Sequence, residues 1–288
     1  MKSLNFGKQY FKLHSNSLLI LACIIVISAR AQPYVDPLNI RYTGSLLNNN
    51  ALRFSHLYIG SDLPFKLNNN KLIVFSPFYE QWNIDSTYNK NYLPMVNSIA
   101  MAMSAIIPLN KNSWALTATA IPRFNSEALQ LQNSFQIGGV LLATYKKQSN
   151  LKYKFGVYVN NEFFGLFVMP LAGIDWKINN KDYLFGVLPG RLTYEHKINK
   201  AFYTGATFRA ITNSYRFNNG NYLRIDDNQT SIYLDWYAAK HIVLCGEIGY
   251  GIFRKLRTGS LHNKSYTAEY NWEDGLFFKI DASYRIRL

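Results

Sequence analysis

The chain has 288 residues, a formal charge of +14, and a composition that is 48% hydrophobic and 16% aromatic. Its longest apolar run, residues 18–27, is about half of the roughly 20 residues that a membrane-crossing helix needs, which excludes a helical membrane protein. The bases are scattered over turns and alternate positions without a compact patch, which excludes a nucleic-acid binder.

Lys2, Lys8 and Lys12 precede the apolar run, and Ala29-Arg30-Ala31 follows it ahead of Gln32-Pro33. This is the layout of a secretory signal removed near residue 31. Residues 1–31 therefore read as a cleaved signal and residues 32–288 as one domain, with no linker or shift in composition to divide it. Removal of Lys2, Lys8, Lys12 and Arg30 takes the charge from +14 to +10. Cys23 leaves with the signal, and Cys245, the one thiol that remains, reads as an inert packed residue with no disulfide partner.

Beyond the signal, segments with period-2 patterning recur, separated by turns rich in Asn and Lys. Strands are expected at 52–66, 72–83, 94–108, 113–124, 134–146, 151–161, 166–178, 182–196, 201–215, 229–239, 241–256 and 275–288. In the segment from 151, Leu151, Tyr153, Phe155, Val157 and Val159 oppose Lys152, Lys154 and Asn160. The last segment is the clearest: Leu276, Phe278, Ile280, Ala282, Tyr284, Ile286 and Leu288 share one face, and Lys279, Asp281, Ser283, Arg285 and Arg287 share the other. Strands with one apolar and one polar face, closed by a C-terminal strand behind a signal, predict an all-β fold, a transmembrane antiparallel β-barrel of the outer-membrane type. Short turns at Asn68–Lys71, Asn110–Asn112, Lys147–Asn150, Asn179–Lys181, Lys197–Lys200 and Lys240–His241 alternate with longer polar stretches at Ile84–Leu93, Asn125–Asn133, Arg216–Asn228 and Arg257–Asp274, except that the turns at Asn179–Lys181 and Lys197–Lys200 flank a single segment, a break that fourteen strands would repair.

About twelve strands are expected, with a kink at Pro189. The alternative is fourteen, in which residues 38–46 add a first strand and Leu188-Pro189-Gly190 is itself a turn. The halves around Pro189 would then fall short of the roughly 9 to 11 residues that span a bilayer.

The run Val168-Met169-Pro170-Leu171-Ala172-Gly173-Ile174-Asp175-Trp176, then Tyr183 to Pro189 and Leu192 to Lys197, resembles an uncharacterised family of Bacteroidota outer-membrane barrels, domain of unknown function 6268. Asn112-Ser113-Trp114, Pro64 and Pro77 extend the likeness. The resemblance implies an outer-membrane barrel and no particular substrate.

With the apolar faces toward lipid, the lumen would be lined by Lys152, Lys154, Asp175, Arg209, Asp235, Glu247, Lys279 and Asp281. Such a lining either selects ions and polar solutes or pairs internally and braces the barrel. Arg191 and Glu195 share a face and are open to the same two readings. The function expected is a channel or transporter for small molecules; the alternative is a structural or interaction barrel presenting the aromatic loops that carry Tyr222, Arg224, Tyr266, Tyr270 and Trp272. The expected partners are outer-membrane lipid, a small-molecule permeant and the barrel-assembly machinery, engaged through strand 275–288.

An outer-membrane acyl hydrolase would need a Ser–His pair with an orienting group. Ser55 and His56 are adjacent and so lie on opposite faces of a strand. His196 and His241 lie at turns and His262 in a loop. No spacing suggests a metal or a phosphate-binding loop, so no cofactor and no catalytic residue is assigned.

Overall fold

A computed structural model describes residues 33–46, 52–85, 93–109, 113–129, 131–261, 263 and 265–288. The signal assigned to residues 1–31, the turn at 110–112 and His262 lie outside the described residues. The described residues form strands β1 (Tyr34–Ser45), β2 (Arg53–Gly60), β3 (Leu63–Lys66), β4 (Leu72–Asp85), β5 (Val96–Leu109), β6 (Trp114–Ser126), β7 (Phe135–Gln148), β8 (Leu151–Glu162), β9 (Gly165–Lys177), β10 (Asp182–Leu188), β11 (Arg191–Lys197), β12 (Phe202–Arg216), β13 (Asn221–Tyr237), β14 (Ile242–Ser260), β15 (Tyr266–Tyr270) and β16 (Gly275–Arg287). β3 and β15 are short pieces beside the ring; the other fourteen close an antiparallel barrel, with β16 between β1 and β14.

Fourteen strands rather than the favoured twelve result from two features. Residues 34–45 form a full strand that takes β16 as its neighbour, from Tyr34↔Arg287 to Ser45↔Phe277. Pro189 is not a kink but one of the two residues, with Gly190, that turn β10 into β11; the Leu188–Pro189 bond is cis, and the two strands pair from Asp182↔His196 to Val187↔Arg191. The length argument against this hairpin fails because its flanks are held by longer strands, β9 through Ala172–Lys177 and β12 through Tyr203–Arg209. Gly186 makes the close approach possible. At φ +136, a Cβ there would lie 2.2 Å from the Arg191 carbonyl oxygen, so any side chain would force the strands apart.

The side chains are distributed inside out. Ile232 (63% exposed), Leu166 (61%), Ile280 (60%) and Phe155 (55%) face outward, whereas Asp235, Lys154, Lys279 and Asp281 are buried. Strand alternation explains both sets, since successive side chains point to opposite faces of the wall. Trp114, Trp176, Trp236 and Tyr284, all exposed, lie near the barrel end that carries both termini. At the opposite end, called the loop end here, the ring is uneven. β13 and β14 run to 17 and 19 residues, while β10 and β11 stop after 7 each.

Candidate functional site: the barrel interior

The interior has three storeys. Nearest the termini, aromatic rings and arginines interleave: Arg285 lies 3.8 Å over the Tyr34 ring and Arg287 lies 3.5 Å over the Tyr203 ring. Arg285 donates to Asp36 at 2.7 Å and pairs with Asp235, and Arg287 grips Glu195 with two bonds of 2.9 Å. These are charge-assisted forks, and they cross-link β1, β11, β13 and β16.

In the middle storey Lys279 pairs with Glu247 at 2.6 Å, and Arg41 reaches Asp281 at 3.3 Å, where Asn39 also donates. On the far wall Lys154 pairs with Asp175 at 2.8 Å, and Lys152 stands opposite Asp175 in the β8–β9 register. Cys245 lies in β14 opposite Asp235 on β13 and forms no disulfide. Two inward arginines of this storey form no ion pair with any described residue. Arg191 and Arg209 are directly opposite each other on β11 and β12. Arg191 donates only to neutral oxygens, Thr193 Oγ1 at 3.1 Å and the Tyr34 hydroxyl at 3.4 Å. Arg209 makes no ion pair with any described residue, and its charged surroundings are Arg41, Arg191 and Glu247, the last already held by Lys279 and Ser231.

The loop-end storey is closed. Past Arg209, β12 leaves the wall and crosses the interior to the tops of β6 and β8. The Arg216 carbonyl accepts from the Glu127 N–H at 3.1 Å, the Ser214 N–H donates to Glu162 at 3.1 Å, and the Ser214 carbonyl accepts from the Asn125 amide at 3.0 Å. Two glutamates anchor the crossing. Glu162 also accepts from Arg123 and Asn160; Glu80 accepts from the Tyr215 hydroxyl at 2.8 Å and the Asn213 amide at 3.0 Å, and lies 3.2 Å from His56. Beside the crossing, Phe54, Trp82, Ile84, Val96, Tyr215, Leu223, Ile225, Leu256, Trp272 and Phe277 form an apolar core that fills the mouth.

The eight residues expected to line the lumen all lie on strand faces opposite the outward apolar side chains, and they divide by partner. Lys154–Asp175 and Lys279–Glu247 pair among themselves, Asp281 and Asp235 pair with arginines, and Arg209 has no ion pair among the described residues. Of the loop aromatics expected at a contact surface, Tyr222 and Trp272 are buried instead: Tyr222 packs on Phe163 and Phe164, and Trp272 joins the apolar core. The stretch 216–228 is mostly strand, because β12 and β13 continue into a hairpin that folds inward. His56 stacks on Trp82 at 4.0 Å and faces Glu80, not Ser55. Glu80, Arg123 and Glu162 are not among the expected residues, although Arg123 and Glu162 are charges on the polar faces of β6 and β8; Glu80 is the one charge on a β4 face that it shares with Trp82 and Ile84.

Among solved structures, the chain is similar to the NanC porin at 10% identity, over 86% of this chain and 100% of that one, with a TM-score of 0.41. It is also similar to the KdgM porin in complex with disordered oligogalacturonate, at 8% identity over 85% and 98% of the two chains with a TM-score of 0.34, and to a mutant porin of Rh. blastica at 9% identity over 86% and 99% with a TM-score of 0.27. No curated protein matches the sequence. The model of one family matches residues 70–287, from inside the β3–β4 turn to the end of the closing strand. The chain belongs to that family, DUF6268, a domain of unknown function.

Proposed function

We propose that this is an outer-membrane barrel that carries small molecules through its interior and rests with its loop-end mouth shut. The observation that carries the reading is the inverted side-chain distribution of a closed barrel: large apolar residues outside, ionised residues inside. Apart from a bundle of helices, only a sheet without edges satisfies every backbone group in lipid. In this reading residues 1–31 export the chain, strand 275–288 engages the barrel-assembly machinery, and the outward residues meet lipid. The charges of the two lower storeys that pair with one another brace the wall, and those left over face the permeant. The apolar core at the mouth argues against a permanently open diffusion pore.

The test is solute release from proteoliposomes containing the refolded protein, with and without Trp82→Ala, which empties the centre of the plug. Release of a small neutral or anionic solute that rises in the variant supports passage through the interior. Retention by both proteins, each shown to be folded and inserted, would leave a structural barrel.

A further inference from the structure

We infer that the barrel has a side opening between β9 and β12, and that this opening, with the Arg191–Arg209 pair behind it, binds a single-chain amphiphile through an anionic head group. The inference rests on the proposal that the interior carries small molecules, and it names their class and route.

The opening follows from the strand ladder. β9 pairs with β10 only as far as Ala172↔Leu188, and β12 pairs with β11 only as far as Arg209↔Arg191. Above the Pro189–Gly190 turn, residues 165–171 of β9 have β8 on one side and, among the described residues, no strand on the other. The missing pair of strands leaves three strand spacings at the sill, about 14 Å. β12 does not lean across to fill the space. It turns inward, where Glu162, Asn125 and Glu127 satisfy its edge. The two-residue turn Phe163-Phe164 packs on Tyr222 and spans the top like a lintel.

The edge of β9 lies at membrane height. From Trp176 to Leu166 the outward face of β9 is apolar, and those ten residues rise about 25 Å at barrel tilt, the height of an outer-membrane apolar band. Ala172 pairs with Leu188, so Pro170, Val168 and Leu166 direct their backbone groups to the same, vacant side. Proline brings no N–H, which removes one unmet donor from this edge. Open sheet edges do not otherwise face lipid; they persist where the backbone lines a cavity. The alternate β9 residues facing inward through the opening are Phe167, Met169 and Leu171, an apolar lining that suits an alkyl chain.

The head-group site lies just inside the sill, because Arg191 is the first residue after the turn. Like charges directly opposite each other across a strand pair repel, and neither guanidinium forms an ion pair with a described carboxylate, the nearby Glu247 being held by Lys279 and Ser231. A carboxylate or phosphate carried on an apolar tail entering above the sill would meet both. It would replace the repulsion with charge-assisted bonds of the kind that hold Arg287 to Glu195.

The test has two arms. In nanodiscs, binding of laurate is compared with that of dodecanol, which has the same tail without charge, and of acetate, which has the same head without a tail; dodecyl phosphate in parallel tells which oxyanion is preferred. Laurate should bind at least tenfold more tightly than either control, and Arg191→Gln with Arg209→Gln should remove that advantage. The second arm leaves the arginines intact: in a protein whose outward Trp114, Trp176 and Trp236 are replaced by Phe, a tryptophan introduced as Met169→Trp should be quenched by lipids brominated on their acyl chains. Equal binding of laurate and dodecanol, unchanged by the arginine substitutions, or absence of quenching at position 169 would overturn the inference. If the double variant fails to fold, the quenching arm decides. Laurate binding by a barrel that releases no solute would sink the passage reading and spare the site; solute release without laurate binding would do the reverse.

Discussion

The two ends of the barrel interior are held by opposite means. At the termini end, cations from β16 reach carboxylates on neighbouring walls, so the strands stay in register and the interior is filled in place by Arg285, Arg287 and the tyrosines beneath them. At the loop end the filling is a piece of the wall itself: β12 leaves the ring, brings β13 inward and buries Tyr215, Leu223 and Ile225 against β2, β4 and β16. The first arrangement is a brace, whose removal weakens a wall that remains closed. The second is a plug on a tether, and it depends on two buried glutamates that receive the crossing strand.

That contrast orders the expected effects. Glu162→Ala should have the largest, since it leaves the Arg123 guanidinium buried without its carboxylate and frees the Ser214 N–H at once. A loss of about 3–5 kcal/mol is expected from breaking such a pair, read from urea unfolding in vesicles, together with increased ion flux. Stability lost without flux would show that the crossing strand is not a gate. Phe277→Ala, which removes a fully buried ring from the plug, should cost about 3–5 kcal/mol and should also raise flux, because the cavity lies in the mouth. Arg285→Met in the brace should cost about 3 kcal/mol, the low end of the range for a broken buried pair, since Asp235 is left buried without its cation while Asp36 is partly exposed and can be rehydrated. It should change ion selectivity and leave the resting closure intact; a mouth that opens in this variant would erase the distinction between brace and plug. Gly186→Ala tests the low wall between the two. Its positive φ and the carbonyl beside it predict a loss of about 1–3 kcal/mol, measured by the same unfolding assay, with little effect on closure.

Much of this was legible in the sequence, and the failures have a common cause. Period-2 alternation fixes which side of a strand faces outward, so the barrel class and the inward direction of Lys154, Asp175, Asp235, Glu247, Lys279 and Asp281 are readable residue by residue. Alternation says nothing about whether a strand stays in the wall. β12 continues as a strand above Arg209, paired with β13 as far as Arg216, yet only below Arg209 does it have β11 as neighbour. Tyr222 and Trp272 therefore looked like surface aromatics and are interior packing. The fourteen-strand count was available from the alternation of short and long connections. It stands as the alternative to twelve because β10 and β11 are too short to span alone, and that shortness is what leaves the wall open above them. Which inward charges pair depends on contacts across the barrel between strands far apart in sequence, such as Arg287 with Glu195, and no local pattern encodes those.

The central claim is that the mouth is closed by a strand held on buried glutamates, and single-channel recording of the wild-type barrel beside Glu162→Ala tests it most directly. The account predicts a quiet wild type in which openings are rare and brief, and sustained openings in the variant at a protein level and insertion efficiency matched between the two. A wild type that conducts steadily at rest, with the variant no different, would contradict it.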